Sequence, residues 1–522
     1  MVREQCCTIM LATKDYRHFQ VLSPTGRILS EFEGAGAADH SLPGDSVEIC
    51  DGGVVKRLMR AEKKTLVGIL QLTSKYMYGL TNRGIPLYLC EPLNRGFPAF
   101  RVACKERDRS KNLLITFQFD SWDDDAELPR GGLVRILGPC EQFGAESEAL
   151  AILGGPWSAP RPAPKPLEST SDRIHLSTGT FNIDPSGCRD IDDVITLVPM
   201  GDGKRWRLWV TIADVSELVV PGTPEYESAF KATSTVYQDG VAVRPMLHRD
   251  LSEDSCSLVP GQLRFGIALS ATFENGVLSE PTFQKAIVMN QQSYTYEGAY
   301  QSWVAAPLAA IASCLAGREV TDSHEWIEQL MLWYNKEAAK VLCTAGKGLL
   351  RRHDAPVTER AAALKAIDPA LEFLAYRAAE YCAVGSADTV HAGLGLGLYC
   401  HASSPIRRFA DLVNQRILKW SINGLKYTAD DLEAVACRLN WRQKEIAGAE
   451  RDYQFLKAIH AAIKHEVSAK VLDERSAWVD EWKTIIRFAD GDSAGSVIRL
   501  RYFCDRRKVA WKERMVFEKI CV

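Results

Sequence analysis

The stretch Thr180-Phe181-Asn182-Ile183-Asp184-Pro185-Ser186-Gly187-Cys188-Arg189-Asp190-Ile191-Asp192-Asp193-Val194-Ile195-Thr196-Leu197-Val198 sets four carboxylates, Asp184, Asp190, Asp192 and Asp193, around a Pro/Gly break. Phe181 and Ile183 lead in and Val194–Val198 leads out as apolar, β-type sequence, so the acids are expected on a turn clamped between buried strands. Carboxylates this close repel one another unless a hard divalent cation is shared among them. An oxygen-rich set with open positions suits Mg²⁺ or Mn²⁺ acting on phosphates. The competing reading is a solvated acidic turn.

Further blocks follow in order: Val210-Thr211-Ile212-Ala213-Asp214-Val215, Pro245-Met246-Leu247, Cys256-Ser257-Leu258, His391-Ala392-Gly393-Leu394-Gly395-Leu396, and Tyr399-Cys400-His401-Ala402-Ser403-Ser404-Pro405-Ile406-Arg407-Arg408-Phe409. Together with the aspartate loop these resemble the signature of the RNB family, the ribonuclease II and ribonuclease R type 3′→5′ exoribonucleases that include the catalytic subunit of the eukaryotic exosome. The resemblance covers about residues 170 to 460. It implies a multidomain α+β chain: two N-terminal OB-type (cold-shock) β-barrels at 1–60 and 61–153, a Pro-rich linker at 154–168, a central α/β RNB catalytic domain at 169–466, and a short, divergent C-terminal OB-like β domain at 467–522.

Composition fits several domains. A chain of 522 residues exceeds what one core normally holds. No apolar run reaches the length of a membrane span and no signal-peptide core opens the chain, so an intracellular protein without membrane contact is expected, in the cytoplasm, with nucleus and organelle left open. The 15 cysteines are odd in number and lack paired metal-ligand spacing, which favours reduced, mostly buried thiols. The net charge of −3 excludes a broadly basic nucleic-acid binder, so any cationic surface must be local. One candidate is the C-terminal set Arg499, Arg501, Arg506, Arg507, Lys508, Lys512, Arg514 and Lys519, interleaved with Tyr502, Phe503 and Trp511. Cations for phosphates and rings for bases suit single-stranded RNA; the alternative is a charged strand face. Everything before the linker reads as β, in short apolar runs such as Leu66–Leu70 and Leu113–Phe117 separated by turn residues. From about 430 to 466 the apolar spacing is helical.

Ser404-Pro405-Ile406-Arg407 reads as a helix start, with Ser as N-cap, Pro at the first position and Ile406, Phe409, Val413 and Ile417 at helical spacing. Arg407 then falls in the first turn, where helix amides already favour an anion, and its guanidinium can oppose charge on a scissile phosphate. The alternative is a salt bridge from Arg407 to Asp411.

By residue-wise resemblance, Asp184, Asp190, Asp192 and Asp193 are the metal ligands, with Asp192 the least dispensable, and Asp192 and Arg407 are catalytic. Tyr237 stacks on terminal bases, Tyr296 lies near the 3′ ribose, Glu328 accepts from a ribose hydroxyl, and Arg407, Arg408 and Arg416 contact the RNA backbone. The resemblance further implies Mg²⁺, with Mn²⁺ as a substitute, and single-stranded RNA as partner. A degradation complex or helicase as a further partner stays open. The chain departs from the family pattern at Thr211, His248, Phe409 and Gln415. The function expected is processive hydrolysis of single-stranded RNA to nucleoside 5′-monophosphates and a short end product. Its rivals are a catalytically inactive RNA-binding RNB scaffold and a metal phosphodiesterase on DNA or small nucleotides.

Overall fold

The protein is described by a computed structural model covering residues 7–11, 18–23, 28–33, 38–50, 55–60, 65–94, 96–162, 172–201, 205–424, 431–461, 465–488, 493–505 and 514–520. At the N-terminus, strands Cys7–Leu11, His18–Leu22, Ile28–Glu33, Ser46–Ile49 and Val55–Met59 form an antiparallel five-stranded sheet. A closed five-stranded barrel follows, made of Leu66–Leu70, Leu87–Pro92, Phe100–Ala103, Leu113–Ser121 and Arg130–Pro139. Its interior holds Leu70, Tyr88, Phe100, Ile115 and Phe117. Gly68 is obligatory there, because a Cβ would come within 2.7 Å of the Cys90 sulfur and 2.8 Å of the Glu91 carbonyl oxygen.

Not all of the chain before the linker is β. Helix Phe143–Gly154 closes this unit. Ala145, Ala149 and Ile152 pack on Val67, Ile69 and Leu114 of the barrel wall. Its small residues lie within helical spacing but have a weak apolar signature, which is why they read as the tail of a strand region.

The Pro-rich segment carries no helix or strand over its described residues 155–162, and it is fastened to the central domain. Trp157 lies beneath two guanidiniums one helical turn apart, Arg438 at 5.3 Å and Arg442 at 5.0 Å. Arg244 donates to the Gly155 and Trp157 carbonyls at 2.6 and 2.9 Å.

The central domain is built on a mixed eight-stranded sheet. Its path runs Ile174–Leu176, Thr282–Met289, Leu263–Glu274, Arg205–Ala213, Asp193–Met200, Thr180–Ile183 and Gln292–Tyr294, and Val277–Leu278 pairs off it. Helices Ser323–Thr344 and Phe409–Ile422 share its core, where Val210, Ile212, Ile267, Leu330, Tyr334 and Val413 are buried together.

The long helix Leu432–Ala461 lies where the apolar spacing places it, and it carries the C-terminal unit. That unit is a five-stranded sheet in the order Thr484–Arg487, Ser476–Val479, Glu466–Asp473, Val497–Cys504, Met515–Lys519. Its core takes in Tyr453, Phe455 and Leu456 of the helix. Arg514 and Glu146, 6% and 3% exposed, form an ion pair of 2.7 Å that locks this sheet to helix Phe143–Gly154.

The C-terminal basic, aromatic run is divided by this fold. Tyr502 is in the core and Arg514 is buried against Glu146, while Arg499, Arg501 and Phe503 share the exposed face of strand Val497–Cys504, where both guanidiniums pair with Glu466. Arg506, Arg507, Lys508, Trp511 and Lys512 lie outside the described residues. None of the described helices is long and apolar enough to cross a membrane.

Candidate active site

Strand Thr180–Ile183 runs antiparallel to Asp193–Met200, with Thr180 opposite Thr196 and Phe181 opposite Ile195. The chain leaves the first strand at Asp184, turns through Pro185-Ser186-Gly187, where Gly187 has φ +83°, and re-enters the second at Asp193. Asp184 and Asp193 therefore stand at neighbouring strand ends. Asp193 pairs with Ile212 and lies on the sheet face of Ile195 and Leu197, in a strand buried on both faces from Val194 to Leu197. The loop between is pinned: the Ser257 hydroxyl donates to the Arg189 carbonyl at 2.6 Å and accepts from the Ile191 amide at 3.0 Å.

Electrostatics separate the four carboxylates. Burial pushes the Asp184 carboxyl up, opposed by the Asn182 amide, which donates to it at 2.8 Å, and by the Arg407 charge. Burial also pushes Asp193 well up, reinforced by the charges of Asp184 and Asp192. Asp192, 5% exposed, is pushed to about 7 by burial, while Arg407 and the Ile406 amide pull it down. Both its oxygens are engaged: Oδ1 accepts from the Ile406 N–H at 2.9 Å and Oδ2 from Arg407 Nε at 3.1 Å. Asp190 accepts from the Tyr237 hydroxyl at 2.8 Å and from the Cys188 thiol at 3.6 Å.

The four acids thus have different partners. Among the described residues no three His, Cys, Asp or Glu side chains converge closely enough to hold a cation unaided. Asp184 and Asp193 form a pair of hard oxygen donors, each raised by burial. Such a pair fits Mg²⁺, which is usually held by one or two carboxylates together with waters and substrate phosphates. Asp192 accepts from the Ile406 amide and from Arg407 Nε and so orients the guanidinium.

Ser404-Pro405-Ile406-Arg407 is not the first turn of the helix. The helix begins at Phe409 with Arg408 as N-cap residue, and Ser404–Arg407 form a separate turn closed by the Arg407 and Arg408 amides on the Ser404 carbonyl at 3.3 and 3.0 Å. The turn is held on both sides, since the Ser234 hydroxyl and Thr235 amide donate to the Arg407 carbonyl and the Ile406 amide is taken by Asp192. Local capping chemistry is overridden by this tertiary docking. Arg407 Nη2 reaches Ser404 Oγ at 3.2 Å, Nη1 has no hydrogen-bond partner among the described residues, and the side chain is 47% exposed. Asp411 pairs with Arg408 at 2.8 Å, and not with Arg407.

Tyr237 is carried by hairpin Val236–Gln238/Val241–Arg244, whose Asp239-Gly240 turn has positive φ at both positions. Burial raises its hydroxyl, reinforced by the Asp190 charge. A groove of about 550 Å³ opens beside it, walled by Glu450 and Arg451 of the long helix and by Trp482 and Lys483 of the C-terminal unit. Tyr296 is raised by burial and by the charges of Asp184 and Asp193, and it follows strand Gln292–Tyr294, the neighbour of the strand that leads into Asp184. Glu328 is exposed on helix Ser323–Thr344. Arg416 donates to the Tyr226 hydroxyl at 3.0 Å, a contact within the domain.

Several positioning residues carried no sequence signal. Asn182 accepts from Asn290 and Ser293 at 2.8 and 2.6 Å while holding Asp184. Asn335 gathers Ala402, Ser403 and Tyr399 behind the Ser-Pro-Ile-Arg turn. Two departures from the family pattern have explicable roles: Gln415 donates to the Ala213 carbonyl at 2.6 Å, and Phe409 packs on Tyr226 and Phe230.

Comparison with known proteins agrees with this architecture. Residues 173–307 and 305–424 match the RNB domain model, and residues 87–153 match the Dis3-like cold-shock domain 2. The chain is 26% identical over 461 residues to exosome complex exonuclease RRP44 homolog A of Arabidopsis thaliana, covering 69% of this chain and 49% of that protein. It spans about half the length of the curated relatives it matches. Among solved structures, Mycoplasma genitalium RNase R in complex with ribose-methylated single-stranded RNA superposes with TM-score 0.73 at 18% identity, over 98% of this chain and 100% of that one. Yeast Ssd1, a pseudonuclease, superposes with TM-score 0.66 at 16% identity, over 95% and 80%.

Proposed function

We propose that this chain, a member of the RNB family, is a metal-dependent hydrolytic 3′→5′ exoribonuclease that degrades single-stranded RNA to nucleoside 5′-monophosphates. One observation carries the reading: Asp184 and Asp193 stand at adjacent strand ends with both carboxyls driven up, and Arg407, with Nη1 uncommitted, is close enough to oppose both. A divalent cation held by Asp184 and Asp193, Mg²⁺ or Mn²⁺ in its place, would supply an activated water and neutralise phosphate charge.

The chain's own groups do the rest. Asp192 fixes the guanidinium plane through Nε, leaving Nη1 to donate to a phosphate oxygen as charge builds there. Tyr237, hydrogen-bonded to Asp190, and Tyr296, stacked on His324, supply two rings for bases or ribose. The groove at Tyr237 continues toward Arg451 and Lys483, a path that suits a flexible strand. Polarity of attack and monophosphate products are supported by the family likeness.

The likeness to a pseudonuclease gives a second reading, a scaffold that binds RNA without cutting it. The same carboxylates weigh against it. An ionised acid such as Asp193, with Asp184 and Asp192 both opposing its charge, is unfavourable by several kcal/mol without compensation, and an inactive scaffold gains nothing by keeping the set. Incubating 5′-labelled RNA and matched DNA with Mg²⁺ separates the two. Progressive shortening of RNA alone supports the nuclease; RNA bound and left intact supports the scaffold.

A further inference from the structure

We propose that His324 is the positioning residue that holds the Tyr296 ring against the 3′-terminal nucleotide of the RNA. The inference rests on the exoribonuclease reading for the identity of the ligand, while the ring geometry stands independently.

The short helix Tyr296–Tyr300 follows directly from strand Gln292–Tyr294, which is paired with the strand that ends at Asp184. Thr295 caps it, accepting from the Gly298 amide at 3.0 Å. Two nearly parallel ring pairs join it to the first turn of helix Ser323–Thr344. Tyr296 lies on His324 at 3.7 Å and 16°, and Tyr300 lies on Trp326 at 5.8 Å and 10°.

The pairs differ in burial, and that difference assigns their roles. Trp326 is 1% exposed and belongs to the domain core, so it suffices to dock the two helices. His324 is exposed, and its amide is taken by the N-cap Asp322 at 3.0 Å. Removing its imidazole subtracts little buried apolar surface. What it contributes is a flat wall on one face of Tyr296. Among the described residues no other ring stacks on Tyr296, which packs in part on the domain core and is half-buried, so a base or ribose can meet only the part of the ring left exposed. Glu328 follows one helical turn after His324, on the same face, where a carboxylate can accept from a ribose hydroxyl.

The test uses RNA carrying 2-aminopurine as its 3′-terminal base, bound in EDTA so that none is consumed. In the wild-type protein the terminal fluorophore is expected to be quenched by stacking. His324→Ala should relieve the quench and, with Mg²⁺ restored, slow single-turnover cleavage roughly 2- to 12-fold, the range that one aromatic pair supports. RNA affinity and melting temperature should stay at wild-type values. His324→Phe should restore both quench and rate. Unchanged quenching in His324→Ala, or a loss that Phe does not restore, overturns the proposal. A wild-type protein that quenches the terminal base but never cleaves would count against the nuclease reading and leave the positioning role standing.

Discussion

Replacing Arg407 by lysine separates two duties that one guanidinium performs. Nε is committed to the buried Asp192 at 3.1 Å, Nη2 to Ser404 Oγ at 3.2 Å, and Nη1 is left over for a phosphate. Lysine keeps the charge but offers a single ammonium on a flexible stem. Asp192 then competes with the substrate for it. Leaving a buried carboxylate without its cation costs about 3–5 kcal/mol, whereas a donor aimed at transition-state charge contributes about 2.7–4 kcal/mol, so Asp192 should retain the ammonium. The expected outcome is a single-turnover rate lower by roughly 10²–10³, with RNA affinity close to wild type because grip is spread over many contacts. Melting temperature should change little. The assay is single-turnover cleavage of 5′-labelled RNA with saturating enzyme, alongside thermal melts. A variant that cleaves within about threefold of wild type would show that Nη1 donates nothing in the transition state.

Other perturbations follow from the same geometry. Arg407→Ala removes the charge that opposes the burial of Asp192, so the carboxyl should rise above its value of about 7. A folded-state value raised above the unfolded one gives stability that is present at low pH and lost as pH rises through it. The variant should therefore lose more melting temperature than wild type between about pH 6 and about pH 8, and parallel profiles would contradict this. Tyr237→Ala should remove roughly 1–3 kcal/mol of stacking and leave a longer final oligonucleotide, while Tyr237→Phe, which loses only the hydrogen bond to Asp190, should keep the product length; an Ala ladder identical to wild type would make Tyr237 a packing residue. Glu146→Ala strands Arg514 in the interface between helix Phe143–Gly154 and the C-terminal sheet, and should destabilise by about 3–5 kcal/mol in urea melts. An unchanged midpoint would mean that water reaches the guanidinium.

The aspartate loop was legible because its function and its strand context share one short stretch: apolar residues flank the acids, and the pairing of Thr180–Ile183 with Asp193–Met200 follows from that pattern. The helix Leu432–Ala461 was legible from spacing alone. Division of labour among the acids was not, since it depends on Ile406 and Arg407, more than two hundred residues away in sequence, closing on Asp192. The same contact explains why the Ser-Pro pair misled. Its capping preferences are worth about 1 kcal/mol, and docking between Asp192 and the hairpin of Tyr237 outweighs them. The basic, aromatic C-terminal run was legible only in part: composition does not say that Tyr502 faces the core while Arg499, Arg501 and Phe503 face solvent, or that Arg514 has Glu146 as its counter-ion. Asn182, Asn290 and Asn335 gave no signal because a buried amide that orients its neighbours looks like any loop asparagine.

Asp193 is the acid at the strand end whose charge is least compensated by the protein itself, with Arg407 alone opposing its rise. RNA labelled at its 3′-terminal nucleotide, incubated with wild type and with Asp193→Asn in Mg²⁺, reports both product and dependence. Wild type is expected to release labelled nucleoside 5′-monophosphate as its first product, and Asp193→Asn to bind the RNA equally well and release none. Release at the wild-type rate by Asp193→Asn, or intact RNA held indefinitely by the wild-type chain, would contradict the exoribonuclease reading.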